Sequence, residues 1–436
     1  MAQFETKTIE TDVLVIGHGI AGLAAVHAVK DENENLDVLA VDKASLGYGG
    51  KANKGGGHVA FIPEGGSEKY VEYHTKNNGD YLNDQDALRN YAENTINTID
   101  KWEKWGGKII GRDIAFNAHP LIPWKICLVD SDVLIGMVNE AKKRGIKFMD
   151  KIDITDLLTN GDQVIGAMGF SVLDGTRYVF KAKSVVLANG NQNWGIMKMW
   201  SSGRGEGIAA AYRAGAMMRN AEFGSFVNIV SKAHGHVSYE AENFMYNSDN
   251  KKVDPNLVEN ELQKEQKSVA GGVDIGGAIG MIMYKQVEKG KGPIMEDIKE
   301  NGFVDDPFGQ IIFPMKDDKV PPEWKRPATH RVASILYEHV KKGGYMRKPE
   351  ESRKEIEPGV VGECSPVYAD HNMASNLRGL YSAGDISANG SSWSGAVPTP
   401  PGRNRGSGIL NAVFAGIVSG QEAAKTAADA VQQPID

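Results

Sequence analysis

The stretch Gly17-His-Gly-Ile-Ala-Gly22 constrains the fold of this chain more than any other. It follows Asp12 to Ile16, a short β-branched apolar run, and leads into Leu23 to Lys30, where small and apolar residues recur at helical spacing. A strand that turns this abruptly into a helix needs glycine at three places. Gly17 permits the tight turn, Gly19 lets a ligand phosphate approach the backbone beside Ile20 and Ala21, and Gly22 admits close packing of the helix. The N-terminus of such a helix presents amides suited to an anion. Val38 to Val41 reads as a second buried strand, and Asp42 at its end stands 42 − 22 = 20 residues beyond Gly22. The pieces make one βαβ unit with dinucleotide-site spacing, in which Asp42 accepts hydrogen bonds from an adenosine ribose or is a plain solvated strand-end carboxylate. Its neighbour Lys43 sits at the surface rim of the same site.

Further along, helical spacing covers Asp86 to Trp105 and Asp132 to Arg144. Val164 to Phe170, a turn at Asp174-Gly175, Tyr178 to Ala182 and Ser184 to Ala188 read as antiparallel strands. From about Val227 to about Glu351 the composition shifts to charged and proline-containing segments, which marks an inserted domain. Gly379 to Ala383 is again a short strand, and Gly408 to Ala424 a small-residue helix that returns the chain to its first domain. The expected architecture is α/β, a Rossmann-like dinucleotide-binding domain (1–227 and 352–436) with an inserted α+β capping domain (228–351).

A net charge of −7 with both signs mixed leaves no basic footprint for nucleic acid and no polybasic membrane patch. Cys127 and Cys364 are too few for a disulfide framework or an iron–sulfur cluster held by this chain, which points to a reducing, cytoplasmic setting. Met1 to Glu10 lacks the apolar stretch of a signal peptide, and glycines and His18 break the apolar run from Val13, so no membrane span is expected. His234 and His236 lack a third ligand nearby, and no metal is expected.

The first glycine pattern does not choose between nicotinamide and flavin; a second element near the C-terminus does. In Leu380-Tyr-Ser-Ala-Gly-Asp385 a short strand ends in a glycine turn, Gly384, beside one carboxylate. Asp385 is placed to bind the ribityl hydroxyls that a flavin carries and nicotinamide dinucleotide lacks, which makes FAD the expected cofactor; a plain strand-to-turn aspartate is the alternative.

With both ends in hand, the chain resembles the flavoprotein subunits of the succinate dehydrogenase and fumarate reductase superfamily over most of its length. The resemblance rests on Gly17 to Gly22, Gly49 to Ala60, Leu187 to Gly190, Arg204 to Ala216 and Gly379 to Asp385. In detail, Tyr70 to Tyr73, Asp84 to Trp105, Val164 to Phe170, Val179 to Val186 and Glu288 to Pro293 look most like the alpha subunit of adenylylsulfate reductase. The resemblance implies that the glycine loop wraps the flavin through Gly49, Gly50, Lys51, Gly55, Gly56 and Gly57, and that Ala188, Asn189 and Gly190 line the nucleotide. Glu206 matches an acidic residue that hydrogen-bonds the cofactor or the start of a helix. The position that carries a flavin-linking histidine in relatives falls on Gly49 or Gly50, which implies non-covalent FAD.

For the substrate, Arg403 or Arg405 matches a substrate-binding arginine ahead of Ser407, Gly408 and Ile409, which contact the flavin. A guanidinium there orients an anionic substrate and stabilises negative charge. His58 either faces the substrate side or packs. Glu222 to Phe226 replaces the family's Gln-Phe-His-Pro-Thr type of segment, which argues against a dicarboxylate, and Asn191 to Gly195 replaces an arginine-rich stretch, which argues against adenylylsulfate. Trp124, Trp194 and Trp393 either wall the pocket or pack, and His371 is expected at the surface. The resemblance thus implies an FAD-dependent oxidoreductase acting on a small polar or anionic substrate, with electrons passed to or from a separate ferredoxin-like iron–sulfur subunit. The alternative is a flavin-binding electron-transfer or interaction subunit without its own small substrate.

Overall fold

The computed structural model describes residues 5–52, 58–77, 81–113, 115–117, 123–130, 132–192, 203–219, 221, 226–233, 241, 244–254, 276–297, 353–360, 366–389, 393–394, 397–398 and 408–434. Its centre is a sheet of seven strands among those residues. β1 (Thr6–Ile16) runs parallel to β2 (Val38–Val41) on one side, and β2 leads on into a small sheet of β3 (His58–Phe61), β4 (Ile109–Ile110), β5 (Phe116–Asn117) and β6 (Lys125–Val129). The central sheet resumes with β7 (Lys147–Met149), β8 (Ile152–Asn160), β9 (Gln163–Ser171) and β10 (Arg177–Leu187), giving the order β7-β2-β1-β10-β9-β8.

The region read as separate strands at 178–182 and 184–188 is the single strand β10. Its first half pairs antiparallel with β9, from Arg177↔Phe170 to Lys181↔Gly166, while its whole length pairs parallel with β1. Lys183 does not break it, because the side chain reaches Asp12 at 2.8 Å on the sheet surface. Beyond the reach of β9, Val185 to Leu187 pair parallel with β16 (Leu380–Ser382), which follows β11 (Phe226–Ser231), β12 (Met245–Tyr246), β13 (Ile294–Asp297), β14 (Arg353–Val360) and β15 (Val367–Tyr368) in the chain. After β16 come β17 (Ser387–Ala388), β18 (Trp393–Ser394) and β19 (Val397–Pro398).

Where β1 and β10 are central, over Val13 to Ile16 and Ser184 to Leu187, their side chains are buried on both faces, which accounts for continuous apolar runs there in place of alternation. Val13 and Val15 face one core, with α1 (Ile20–Glu32), α2 (Ser67–Asn77), α3 (Gln85–Lys104) and α4 (Val133–Lys143). Leu14 and Ile16 face the other, beneath α5 (Glu206–Arg213). The helices follow their sequence signals closely: Asp84 caps α3 by accepting from the amides of Asp86 and Ala87. Trp124 packs in the first core at 1% exposure.

α6 (Gly276–Glu288) accompanies a second sheet of order β11-β14-β13-β12, with Ile229, Met245, Ile282, Ile294 and Ile356 in its core. β14 lies just past the boundary read from composition at residue 351, since strand pairing rather than residue type sets a sheet's extent.

α7 (Gly408–Asp429) crosses α1 at backbone distance. A Cβ added at Gly416 would stand 2.3 Å from the Ala21 carbonyl oxygen, and one at Gly420 would stand 2.4 Å from that of Ala25. Glycine and alanine at this crossing let the two helices approach until backbone meets backbone, which holds the first turn of α1 against the C-terminal segment.

Candidate functional site

The site lies where the parallel strands end. The hydrogen-bond ladder continues past β1, β2, β10 and β16 through Gly17 N–H to Val41 O at 2.7 Å, Ala188 N–H to Ile16 O at 2.7 Å and Ala383 N–H to Leu187 O at 2.8 Å. Four strand ends are thereby locked side by side, a crevice of the kind in which open parallel sheets bind ligands.

Gly17 adopts φ +100°, and a Cβ there would sit 2.5 Å from the Ala188 carbonyl oxygen. A Cβ on Gly22 would sit 1.9 Å from the carbonyl oxygen of Gly17, so the turn and the first turn of α1 are in contact and no side chain fits between them. Gly19 is the cap of α1 and provides no side-chain hydrogen bond to its amides. The first-turn amides of a helix have no partner within the helix, so those of Ile20, Ala21 and Gly22 face a ligand position. Ile20 and Ala21 are buried at 6% exposure.

Asp42 stands on one flank. Its Oδ2 accepts from the His18 backbone N–H at 2.9 Å and its Oδ1 from the Ala44 N–H at 2.8 Å, which fixes the carboxylate at the rim of the crevice. His18 is buried under it, with Nδ1 3.5 Å from Oδ2. Burial lowers the His18 pKa and the neighbouring Asp42 opposes that only in part, so the ring is neutral at pH 7. Lys43 and Glu206 form an ion pair at the edge, tying the end of β2 to the first residue of α5.

Asn189 and Asn191 close the floor. Asn189 lies against the first turn of α5, where a Cβ on Gly207 would be 2.1 Å from its side-chain nitrogen. Its Oδ1 is buried without a hydrogen-bond partner, and so are both amide atoms of Asn191, a residue 1% exposed. Buried polar atoms left unpaired by the chain cost free energy unless a ligand or water meets them. Sequence reasoning missed Asn191 and His18 as site residues; the available signal was polarity in both at the very ends of apolar strands.

On the opposite flank Gly384 takes φ +73° at the start of a 3-10 turn, Gly384–Ile386. A Cβ there would meet the Ala21 side chain at 2.8 Å and that of Ala412 at 3.5 Å, so this turn, α1 and α7 converge. Asp385 projects from the turn and pairs with Lys51 at 3.6 Å. The glycine loop runs against the α1 cap, with a Cβ on Gly50 3.2 Å from the Gly19 Cα, and one on Gly49 3.4 Å from Asp42 Oδ2.

The structure thus brings Gly17, Gly19 to Gly22, Asp42, Lys43, Gly49 to Lys51, Ala188 to Gly190, Glu206, Gly384 and Asp385 to one edge. Gly408 and Ile409 open α7, with Ile409 packed on the main core. Gly55 to Gly57, Trp194, His234, His236, Arg403, Arg405 and Ser407, with the side chains of His58 and Trp393, lie outside the described residues. His371 is half exposed, as expected, and bonds Asp84 at 2.7 Å, which raises its pKa. Among the described residues no group of histidines, cysteines and carboxylates could hold a metal, and no helix is long and apolar enough to cross a membrane.

The groups suit FAD. A diphosphate fits amides that have no side-chain cap, Asp42 offers a ribose acceptor, the orphaned asparagine amides offer nucleotide contacts, and Asp385 offers a second acceptor on the far flank.

Comparison with known proteins agrees. Residues 12–230 match the FAD binding domain family. A fumarate reductase (CoM/CoB) polypeptide of Methanothermobacter marburgensis is 27% identical over 228 residues, 49% of this chain and 41% of that protein. The 8-methylmenaquinol:fumarate reductase flavoprotein subunit of Wolinella succinogenes is 28% identical over 228 residues, 49% of this chain and 37% of that one. The matched stretch therefore spans less than half the length of these relatives. Among solved structures, E. coli quinol fumarate reductase superposes with a TM-score of 0.75 at 16% identity, over 98% of this chain and 72% of that chain. Adenylylsulfate reductase from Archaeoglobus fulgidus gives 0.73 at 19% identity, over 99% and 72%. The chain belongs to the FAD binding domain family, its cofactor is FAD, and its relatives include fumarate reductase flavoprotein subunits.

Proposed function

We propose that the chain is an FAD-dependent oxidoreductase that exchanges a hydride or electron pair with a small polar or anionic substrate and passes electrons to or from a separate iron–sulfur protein. The observation that carries the reading is the pairing of two flanks across one helix N-terminus: Asp42 on one side and Asp385 on the other, with orphaned asparagine amides on the floor. That spacing of acceptors suits an extended dinucleotide with hydroxyls at both ends and charge in the middle.

Bound FAD supplies two-electron redox chemistry. The chain's own residues bind and orient. Asp42 accepts from the adenosine ribose, the amides from Gly19 to Gly22 carry the diphosphate, and Asp385 accepts from the ribityl chain. Glycine at positions 49 and 50 leaves no side chain to bond the flavin, which supports a non-covalent cofactor. The role of substrate anchor falls to Arg403 or Arg405, whose guanidinium stays protonated and donates in a fixed fork. His58, which follows the glycine loop in sequence, is the candidate for a further substrate contact. The domain division proposed is 1–227 and 352–436 for FAD binding, with 228–351 as a cap over the flavin whose sheet also takes in β14 from just beyond that boundary. With two cysteines in 436 residues, an iron–sulfur cluster belongs to a partner, and the setting is cytoplasmic.

The test is direct. The purified chain is expected to be yellow, to release its flavin on acid precipitation, and to be reduced or reoxidised by an iron–sulfur protein under anaerobic conditions. Replacing both Arg403 and Arg405 by Ala abolishes turnover while leaving FAD bound. Turnover that survives the double substitution removes the substrate-anchoring role from this segment, whereas a chain that binds FAD and exchanges electrons but turns over no small substrate fits the alternative, a flavin-binding electron-transfer role.

A further inference from the structure

Lys51 and Asp385 come from strands that are not neighbours. The sheet places β1 and β10 between β2, whose end launches the glycine loop, and β16, whose end launches the Gly384 turn. Three strand spacings separate those ends, about 14 Å. The ion pair at 3.6 Å can form only because the loop runs back across the strand ends, over the cap of α1 where Gly50 meets Gly19. Backbone and ion pair together close a ring: β2, loop, Lys51, Asp385, β16, β10, β1. The first turn of α1 lies inside it. Both side chains are less than one-fifth exposed, 19% for Lys51 and 17% for Asp385, so the pair is shielded from much of the screening that weakens surface ion pairs.

We propose that Lys51 is a positioning residue that clasps the glycine loop to the Asp385 turn and thereby sets how slowly FAD leaves. Lys51 acts through Asp385: it holds the carboxylate toward the crevice and keeps the loop across the α1 N-terminus, so that a dinucleotide departs only when the clasp opens. This rests on the reading that FAD occupies that N-terminus.

The experiment measures the FAD dissociation rate from the intact holoprotein, by the rise in flavin fluorescence as released FAD is cleaved by an excess of phosphodiesterase. Lys51→Met is expected to speed release by about tenfold or more, as truncation of one partner of a shielded charge pair acts chiefly on dissociation. Lys51→Arg restores a rate near that of the wild type. In an Asp385→Asn background, Lys51→Met adds little, because the clasp is already broken. Unchanged release in Lys51→Met overturns the proposal. So does an equal acceleration in both backgrounds, which would mean that Lys51 contacts the phosphates or supports the fold independently of Asp385. Failure of the underlying reading shows separately, as a wild-type chain that takes up no FAD. Thermal unfolding of each apoprotein guards against misfolding: a Lys51→Met variant that releases FAD fast with an unchanged apoprotein midpoint supports the clasp, while one whose rate change disappears when matched for stability overturns it.

Discussion

Gly22→Ala isolates the contribution of the glycine turn to cofactor binding. The added methyl would lie 1.9 Å from the Gly17 carbonyl oxygen, more than 1 Å inside any contact that real atoms make, so the turn must move by about an ångström. Gly17 cannot yield freely, since its turn is packed so closely that a Cβ there would stand 2.5 Å from the Ala188 carbonyl oxygen and 2.8 Å from the Asn189 Cα. The displacement therefore passes into the amides at the α1 N-terminus. Hydrogen bonds work over about 2.7–3.2 Å, and a shift of that size takes a bond out of range. Two bonds to a charged phosphate, at about 1.5–3 kcal/mol each, amount to about 3–6 kcal/mol, a weakening of FAD binding by about two to four orders of magnitude. The fold itself loses less. Overpacking costs about 1–3 kcal/mol, and alanine recovers about 1 kcal/mol of helix propensity. Gly420→Ala supplies the control, because its methyl would meet the Ala25 carbonyl oxygen at 2.4 Å within the same helix crossing but away from the turn. Calorimetry of FAD binding to the two apoproteins, with their thermal midpoints, separates the effects. Gly420→Ala should unfold at lower temperature and still bind FAD stoichiometrically. Wild-type affinity in Gly22→Ala, or an equal loss of FAD in Gly420→Ala, would refute the reasoning.

Three further outcomes follow from the structure. Asp42→Asn keeps one acceptor oxygen but removes the charge, and FAD affinity should fall by about tenfold to a hundredfold in a fluorescence titration; no change would make Asp42 a mere brace for the His18 and Ala44 amides. His27 is fully buried, donates through Nε2 to Met137 O at 3.0 Å, accepts at Nδ1 from Arg144 at 3.2 Å and stacks on Trp105, and burial lowers its pKa from 6.5 to about 4. With the folded value depressed, the unfolded chain binds more protons between those pH values, so this contribution is present above pH 6.5 and is lost as pH falls to 4, about 3 kcal/mol in all. Urea unfolding across that window should show a shallower pH slope in His27→Leu than in the wild type, and identical slopes would exclude the assignment. Cys127 is fully buried and burial pushes its thiol up to about 12, so mass spectrometry should find it unlabelled by a disulfide reagent in the native protein and labelled once urea unfolds it.

The sequence by itself determined the βαβ unit, its glycine turn and Asp42, because strand, turn and helix are covalent neighbours and their apolar spacing declares them. It also placed the ends of α3 and α4 to within a residue, since the apolar stripe of each helix is a local pattern. Tertiary structure alone decided what depends on distant pairing. β10 is one strand because β1 lines its full length while β9 and β16 share its other edge, and no local pattern distinguishes that from two strands with a break at Lys183. The Gly416 and Gly420 positions are legible as small residues, yet only the crossing with α1 explains them. The unpaired amides of Asn189 and Asn191, the burial of His18 beneath Asp42, and the meeting of Lys51 with Asp385 all arise from elements far apart in the chain. A side chain's partners are set by where the sheet carries it, and strand order is written in non-local contacts that a linear reading does not contain.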